Sequence, residues 1–400
     1  MNIAKKLYCR GYQSVFHFAI PVMPYKMPKR VDSIKNIPEV LKKQNKKHPL
    51  IVTDPGISAC GLLKLVEDVF EKKGVPYSVY DKTVPNPTDE NVAEALAIYK
   101  AEGCDSLVAI GGGSSIDCAK GIGACIARPD LTLAKMEGIL KVIAPIPTLV
   151  AIPTTAGTGS ETTLAAVITD AKTRHKYAIN DFPLIPKYAV LDPKMTESLP
   201  PSLTATTGMD ALTHAVEAFI GGSTTKETRH YARKAVRLIF ENIDDAVNDG
   251  HNMTARRNML YASFCAGYAF TQSYVGYVHA VAHSLGGEYN VPHGLANAII
   301  LPLVLEKYGD AITEQLYYLA MQARVAKVDT PKKEAARMFI QAIKDMKKRF
   351  NIPDTIPQIR QEDIPKLARY ADKEANPLYP VPVVWDAKEL ESIYYDLMEK

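Results

Sequence analysis

Asp210 and His214 stand four residues apart in Gly208-Met-Asp-Ala-Leu-Thr-His214, and a helix places both on one face. His279 and His283 repeat that spacing, and His293 follows after a Gly-Gly and a Val-Pro. One carboxylate with several imidazoles suits a divalent transition ion better than calcium or magnesium, which take oxygen shells. An ion held this way acts as a Lewis acid on an alcohol or carbonyl oxygen. Taken singly, each histidine reads equally well as a surface or core side chain. Taken together, their flanks of Ala, Gly, Leu and Val imply burial, and a buried imidazole needs a partner. The spacing is not His-Glu-x-x-His, so a protease reading carries little weight.

The elements that must position these residues belong to a long chain. Four hundred residues, 47% hydrophobic and 23% charged, predict two globular domains. A net charge of +4 is too small to predict a nucleic-acid partner. The six cysteines are scattered without a Cys-x-x-Cys pair, which fits reduced thiols and a cytoplasmic location. No apolar run reaches the roughly twenty residues of a membrane span, so no membrane partner is expected. Near the N-terminus, Lys5, Lys6 and Arg10 precede the run Val15–Val22, which His17 and Pro21 break. No small-residue cleavage site follows, and this lead-in is expected to pack on the first domain.

Two kinds of patterning divide the chain. From 30 to about 195, short β-branched runs (50–54, 77–80, 106–110, 148–152) alternate with helical patterns such as 61–73 and 89–102, predicting a parallel sheet covered by helices. After about 200, helical periodicities take over: 203–219, 226–248, 255–272, 276–289, 295–308, 311–327, 331–349 and 386–399. The expected domains are an α/β dinucleotide-binding domain, Rossmann-like with a parallel sheet, over 1–198, and an all-α metal-binding domain over 199–400.

Gly111-Gly112-Gly113-Ser114 lies between a buried strand and a helix, where backbone N–H groups can meet a pyrophosphate. It is not Gly-x-Gly-x-x-Gly, and no acidic residue sits about twenty positions later at a strand end. The acid is upstream, Asp54 at the end of the first strand, either a partner for ribose hydroxyls or a helix cap. Pro153-Thr-Thr-Ala-Gly-Thr-Gly-Ser-Glu161 carries hydroxyls and glycines after a strand, a composition that admits close approach of a ligand.

Together these stretches resemble the iron-containing (group III) alcohol dehydrogenase family. The matching pieces are Asn86-Pro87-Thr88, Gly111 to Lys120, Pro153 to Glu161, Gly208 to Glu217, and His279 through His283 to Gly294, in order and spacing from about 50 to 310. The resemblance implies an N-terminal dinucleotide-binding domain, a C-terminal helical domain and an active site between them. It implies Asp210, His214, His279 and His293 as metal ligands and His283 as a non-ligand histidine beside the nicotinamide. It implies Asp54, Asn86, Gly112, Gly113, Ser114, Asp117, Thr154, Thr155, Thr158 and Lys176 as cofactor contacts. The implied ion is Fe2+, with Zn2+ as the alternative, and the cofactor is NAD, with NADP as the alternative. The expected activity is reversible hydride transfer between the nicotinamide and a small alcohol or aldehyde, in a homodimer or higher homo-oligomer.

The chain also departs from the family. Its first 48 residues do not resemble the family's usual opening, and Ala165 and Ala375 stand where polar residues are common, suggesting a less polar pocket; Phe270 aligns with an aromatic wall. The rival reading is glycerol dehydrogenase or a dehydroquinate-synthase-like lyase. The lyase would need Lys and Arg among the ligands, and 205–220 and 275–295 contain neither. A non-catalytic nucleotide-binding protein would have no use for a four-ligand set.

Overall fold

The computed structural model describes residues 3–20 and 23–399, with only the backbone of Phe16. Pro21 and Val22, the end of the apolar lead-in, lie outside the described residues. The chain forms two compact units. One comprises 24–199 with 250–267; the other comprises 200–249, 268–400 and the N-terminal segment up to 23.

The first unit holds the strands β1 (Lys29–Val31), β2 (Pro49–Val52), β3 (Ser78–Tyr80), β4 (Ser106–Gly111), β5 (Gly138–Ile139), β6 (Thr148–Pro153), β7 (Ala165–Thr169), β8 (Lys176–Asn180) and β9 (Tyr188–Val190). Among the described residues, six of them make a parallel sheet in the order β1-β9-β6-β4-β2-β3. Leu50, Ile51 and Val52 of β2, and Leu107 to Ile110 of β4, are fully buried. Such unbroken apolar runs mark strands covered on both faces. Side chains alternate between the faces. Leu50, Val52, Leu107 and Ala109 pack with Val92, Ala95, Ile116 and Ile122, which come from α5 (Asp89–Ala101) and α6 (Gly113–Ala127). Ile51, Val108 and Ile110 pack on the other side with Ile37, Leu41, Val66 and Phe70. These come from α2 (Ile37–Lys43) and α4 (Leu62–Lys73); the short α3 (Pro55–Ala59) follows β2 directly.

After β2 the chain adds β3 on one side, then returns to place β4 on the other. That reversal opens a crevice at the carboxyl ends of β2 and β4, where open α/β sheets bind ligands. A second small sheet, β5-β8-β7, pairs β7 with β8 antiparallel. The sequence patterning did not single out this hairpin, nor the three-residue β1 and β9.

The second unit is helical: α1 (Ile3–Ala19), α7 (Pro201–Ile220), α8 (Lys226–Asn248), α10 (Tyr277–Tyr289), α11 (His293–Tyr308), α12 (Thr313–Gln322), α13 (Lys332–Arg349), α14 (Ile364–Ala375) and α15 (Ala387–Leu397). From Gly208 to Ile220, α7 is buried at every residue, packed against α8 and α11. α10 packs against α11 and α14.

Two segments depart from a single cut near 198. α9 (Met253–Ser273) contributes its residues up to Gly267 to the α/β unit. Glycines make that packing possible: a Cβ on Gly159 would lie 2.7 Å from the Gly267 Cα, at a φ of +58°. Arg256 secures the same region by donating to the carbonyls of Gly250 at 3.0 Å and Leu199 at 3.1 Å. The second segment is α1, which the sequence placed on the first domain. It joins the helical unit instead: Lys5 reaches Asp372 at 2.7 Å, and Arg10 donates to the Val381 and Pro382 carbonyls at 2.7 and 2.6 Å. The apolar run misled the sequence reading, because the packed side of the helix is its polar one. Ile3, Leu7, Val15 and Phe18 are exposed.

Candidate metal and dinucleotide sites

Within the helical unit, one ligand atom from each of Asp210, His214, His279 and His293 falls within 4.8 Å of the others. Helical spacing sets Asp210 and His214 together on α7, and α10 and α11 supply the other two histidines. The His293 Nε2 is 3.5 Å from the Asp210 Oδ1, and the His214 Nδ1 is 4.0 Å from the Oδ2. Phe270 stacks on His214 with ring centroids 4.2 Å apart. Asp210, His214 and His279 are buried, while the His293 side chain is 39% exposed and marks the open side of the cluster.

Hydrogen bonding around the cluster fits a bound cation. The His279 Nδ1 lies 2.5 Å from the Glu217 Oε2. Burial, followed by the neighbouring histidines, pushes His279 well below its ordinary pKa, so it is neutral. Its proton then sits on Nδ1 against the carboxylate, and the Nε2 lone pair faces the cluster. Burial pushes Glu217 up to about 7, opposed by backbone N–H groups at the start of α10. One of these is Val278 N, 2.8 Å from the Glu217 Oε1. Asn297 is fully buried and donates from its Nδ2 to the Asp210 Oδ1 at 2.7 Å, with the His279 and His293 Nε2 atoms at 3.2 and 3.1 Å. Neither Glu217 nor Asn297 was among the residues the sequence singled out. The signal was present: Glu217 is three residues beyond His214, and Asn297 four beyond His293.

His283 stands beside the cluster, its ring stacked on His293 at 5.2 Å between centroids. Its Nδ1 is 2.6 Å from the Glu374 Oε1, which also accepts from the Tyr379 hydroxyl at 2.8 Å. Burial works to raise the Glu374 carboxyl, but His283 and Tyr379 outweigh it and hold the group below its ordinary value. Glu374 and Tyr379 lie about ninety residues from His283 and had no sequence signal. Ala375 is buried in α14.

In the α/β unit, most of the expected cofactor residues follow the carboxyl ends of β2, β4 and β6, while Asn86 follows β3 and Lys176 opens β8. Asp54 ends β2, and its Oδ1 caps α3 by accepting from Gly56 N at 2.9 Å and Ile57 N at 3.1 Å. Its Oδ2 accepts from the Ser115 hydroxyl at 3.1 Å. The cap reading of Asp54 therefore holds, and the second oxygen retains a lone pair. Gly112 precedes α6 as its N-cap. A Cβ there would sit 3.6 Å from the Thr155 Oγ1, and one on Gly113 would sit 3.6 Å from the Thr158 Cγ2. The Thr155 Oγ1 is buried with no hydrogen-bond partner among the described residues. An unmatched hydroxyl beside a helix N-terminus fits an incoming polar ligand. Thr154 donates from its backbone to the Gly111 carbonyl at 3.1 Å. Asn86 N donates to the Ser114 hydroxyl at 3.3 Å, and Lys176 donates to the Asn86 Oδ1 at 2.9 Å.

Asp117 is engaged internally, accepting from the Ser160 hydroxyl at 2.9 Å and from Val167 N at 3.1 Å. Close by, the fully buried Lys120 donates to the carbonyls of Ser160, Thr163 and Ala165 at 2.8, 3.0 and 2.8 Å. Burial pulls Lys120 down to about 8. Three carbonyl acceptors match the three N–H donors of an ammonium, so the charged form is held at neutral pH.

A profile described as iron-containing alcohol dehydrogenase matches residues 24–193. A second, described as the C-terminal part of the Fe-containing alcohol dehydrogenase family, matches 204–398. The chain belongs to the iron-containing alcohol dehydrogenase family. It is similar to alcohol dehydrogenase 4 of Schizosaccharomyces pombe, 45% identical over 72% of this chain and 69% of the relative. A solved 1,3-propanediol oxidoreductase superposes with a TM-score of 0.89 at 36% identity, covering 93% of this chain and 98% of that one. Sulfoacetaldehyde reductase from Bifidobacterium kashiwanohense, solved in complex with NAD+, superposes with a TM-score of 0.83 at 28% identity over 93% and 98% of the two chains. As a family member, this chain is an oxidoreductase acting on alcohols and aldehydes with a nicotinamide cofactor.

Proposed function

We propose that the protein is an iron- and NAD-dependent dehydrogenase of short-chain aliphatic alcohols, acting in reverse as an aldehyde reductase. The observation that carries this reading is the convergence of Asp210, His214, His279 and His293 within 4.8 Å. Bound there, a divalent ion supplies Lewis acidity toward an alcohol or carbonyl oxygen, while NAD supplies the hydride chemistry. Glu217 fixes the tautomer of His279, and Asn297 orients the Asp210 carboxylate. With its Nδ1 tied to Glu374, His283 takes or gives the alcohol proton at Nε2. The donor set admits zinc as readily as iron, and the iron assignment follows the family.

Gly112, Gly113 and Ser114, at the N-terminus of α6, present backbone N–H groups to the pyrophosphate. Thr154, Thr155 and Thr158 surround the same turn, with Asn86 and Lys176 beside Ser114 and Asp117 bracing the loop through Ser160. Asp54 accepts the ribose 2′-hydroxyl on its Oδ2, where a 2′-phosphate would meet like charge. A homo-oligomer in the cytoplasm completes the reading; none of the six cysteines is in a disulfide, and sedimentation velocity reads the association state. NADH oxidation with a panel of short aldehydes and diol-derived aldehydes tests the proposal. Turnover with the aliphatic members is expected, and a protein that turns over none of the panel contradicts it.

A further inference from the structure

α1 precedes the first residue matched by the family, position 24, and its polar side grips one short segment of the helical unit. Residues 379–382 read Tyr-Pro-Val-Pro. Two prolines keep this segment out of any helix or ladder, yet its carbonyls still require donors. α1 supplies most of them. Gln13, 5% exposed, donates to the Tyr379 carbonyl at 2.7 Å. Arg10 donates to the Val381 carbonyl at 2.7 Å and the Pro382 carbonyl at 2.6 Å, and to the Gln13 Oε1 at 2.9 Å. The remaining carbonyl, of Pro380, accepts from Gly222 N at 2.6 Å. Lys5, Cys9 and Gln13 recur at i, i+4 and i+8, and the first of them bonds Asp372 two residues before Glu374. The gripped segment carries Tyr379, whose hydroxyl reaches Glu374, which in turn holds the His283 Nδ1. On the other side, Val381 approaches Gly276, where a Cβ would lie 3.7 Å from the Val381 Cγ1 and 2.7 Å from the Glu217 Oε1. Gly276 is the N-cap of α10, the helix bearing both His279 and His283.

We propose that α1 is a clamp added to the family fold, and that Arg10 and Gln13 are positioning residues that set the orientation of His283 through Tyr379 and Glu374. The inference rests on the role proposed above for His283. Loss of Arg10 leaves the Val381 and Pro382 carbonyls without their donor, and loss of Gln13 leaves the Tyr379 carbonyl with Val381 N alone; the segment shifts, and the Tyr379–Glu374–His283 chain loosens. Misplacement of this kind, remote from the chemistry, lowers kcat by about ten- to a hundred-fold.

The test combines kinetics with hydrogen exchange on the metal-loaded, full-length enzyme. Arg10→Ala and the milder Gln13→Ala are expected to speed amide exchange in peptides covering 374–385 and to lower kcat more than they raise KM. Arg10→Lys, which keeps one cation in reach of the carbonyls, should recover part of kcat. In a His283→Ala background, Arg10→Ala should lower kcat no further, because both act through one chain of contacts; a merely destabilising change adds its effect. Unchanged exchange over 374–385 in both single variants overturns the clamp. Faster exchange with unaltered kcat, or a loss that adds to that of His283→Ala, overturns positioning through His283. Wild-type kcat in His283→Ala alone defeats the reading of His283 and positioning through it, while exchange still decides whether α1 clamps the segment.

Discussion

One carboxylate, Glu217, serves two groups at once: it caps the first backbone N–H groups of α10 and fixes the tautomer of His279. Glu217→Gln keeps the shape but loses the charge that holds the Nδ1 proton. Metal affinity, measured by competition with a chelator, should fall about ten- to a hundred-fold; unchanged affinity would mean that the contact does not tune the ligand. His279→Ala and His293→Ala should lose metal and activity together, whereas His283→Ala should retain most of its metal and turn over slowly. Equal metal loss in all three variants, by elemental analysis, would show that His283 has been misassigned. Asp54→Gly should raise kcat/KM with NADPH relative to NADH, at a cap cost of only a few tenths of a kcal/mol. A wild-type preference for NADPH would contradict the assignment of Asp54. At this scale, Asp210 and the histidines were legible because helical spacing is local. Glu217 and Asn297 sat in register with them, but a polar residue on a helix reads equally well as a solvated face. Glu374 and Tyr379 reach His283 only through tertiary packing, which spacing does not encode.

Among the elements, the loop after β6 stores two features with measurable consequences. Glu161 is buried, its Oε1 has no partner among the described residues, and burial pushes its carboxyl up to about 7, offset in part by its backbone hydrogen bond and Lys120. The native state therefore binds the proton more tightly than the unfolded chain. Stability from this group is complete below the unfolded value of 4.5 and is lost as pH rises through about 7. Glu161→Gln removes that slope, so its stability relative to wild type should improve by about 2–3 kcal/mol between pH 4.5 and 8, read by urea unfolding. A pH-independent difference would contradict a raised carboxyl. Gly159→Ala places a Cβ against Gly267 at positive φ, and should cost more than about 2 kcal/mol in the same measurement. The long helices and the buried central strands were legible because their periodicity runs over many residues. β1 and β9, three residues each, are too short to carry a period. The helical nature of α1 was hidden by an apolar run, of which the fold leaves Val15 and Phe18 exposed and buries Ile20.

For the whole molecule, patterning placed the sheet and the helices in the correct halves of the chain. It did not show that α9 up to Gly267 belongs with the α/β unit, or that α1 belongs with the helical one, because both depend on contacts between residues distant in sequence. No described helix is long and apolar enough to cross a membrane. The central claim is that a metal ion held by Asp210, His214, His279 and His293 is required for aldehyde reduction. The direct test is bound metal, by elemental analysis of anaerobically prepared protein, against the rate of NADH oxidation with a short aldehyde, before chelation, after it and on reconstitution with Fe2+ or Zn2+. The rate should rise in proportion to bound ion, vanish in the stripped protein and return with added Fe2+. Full turnover by protein free of metal would contradict the account.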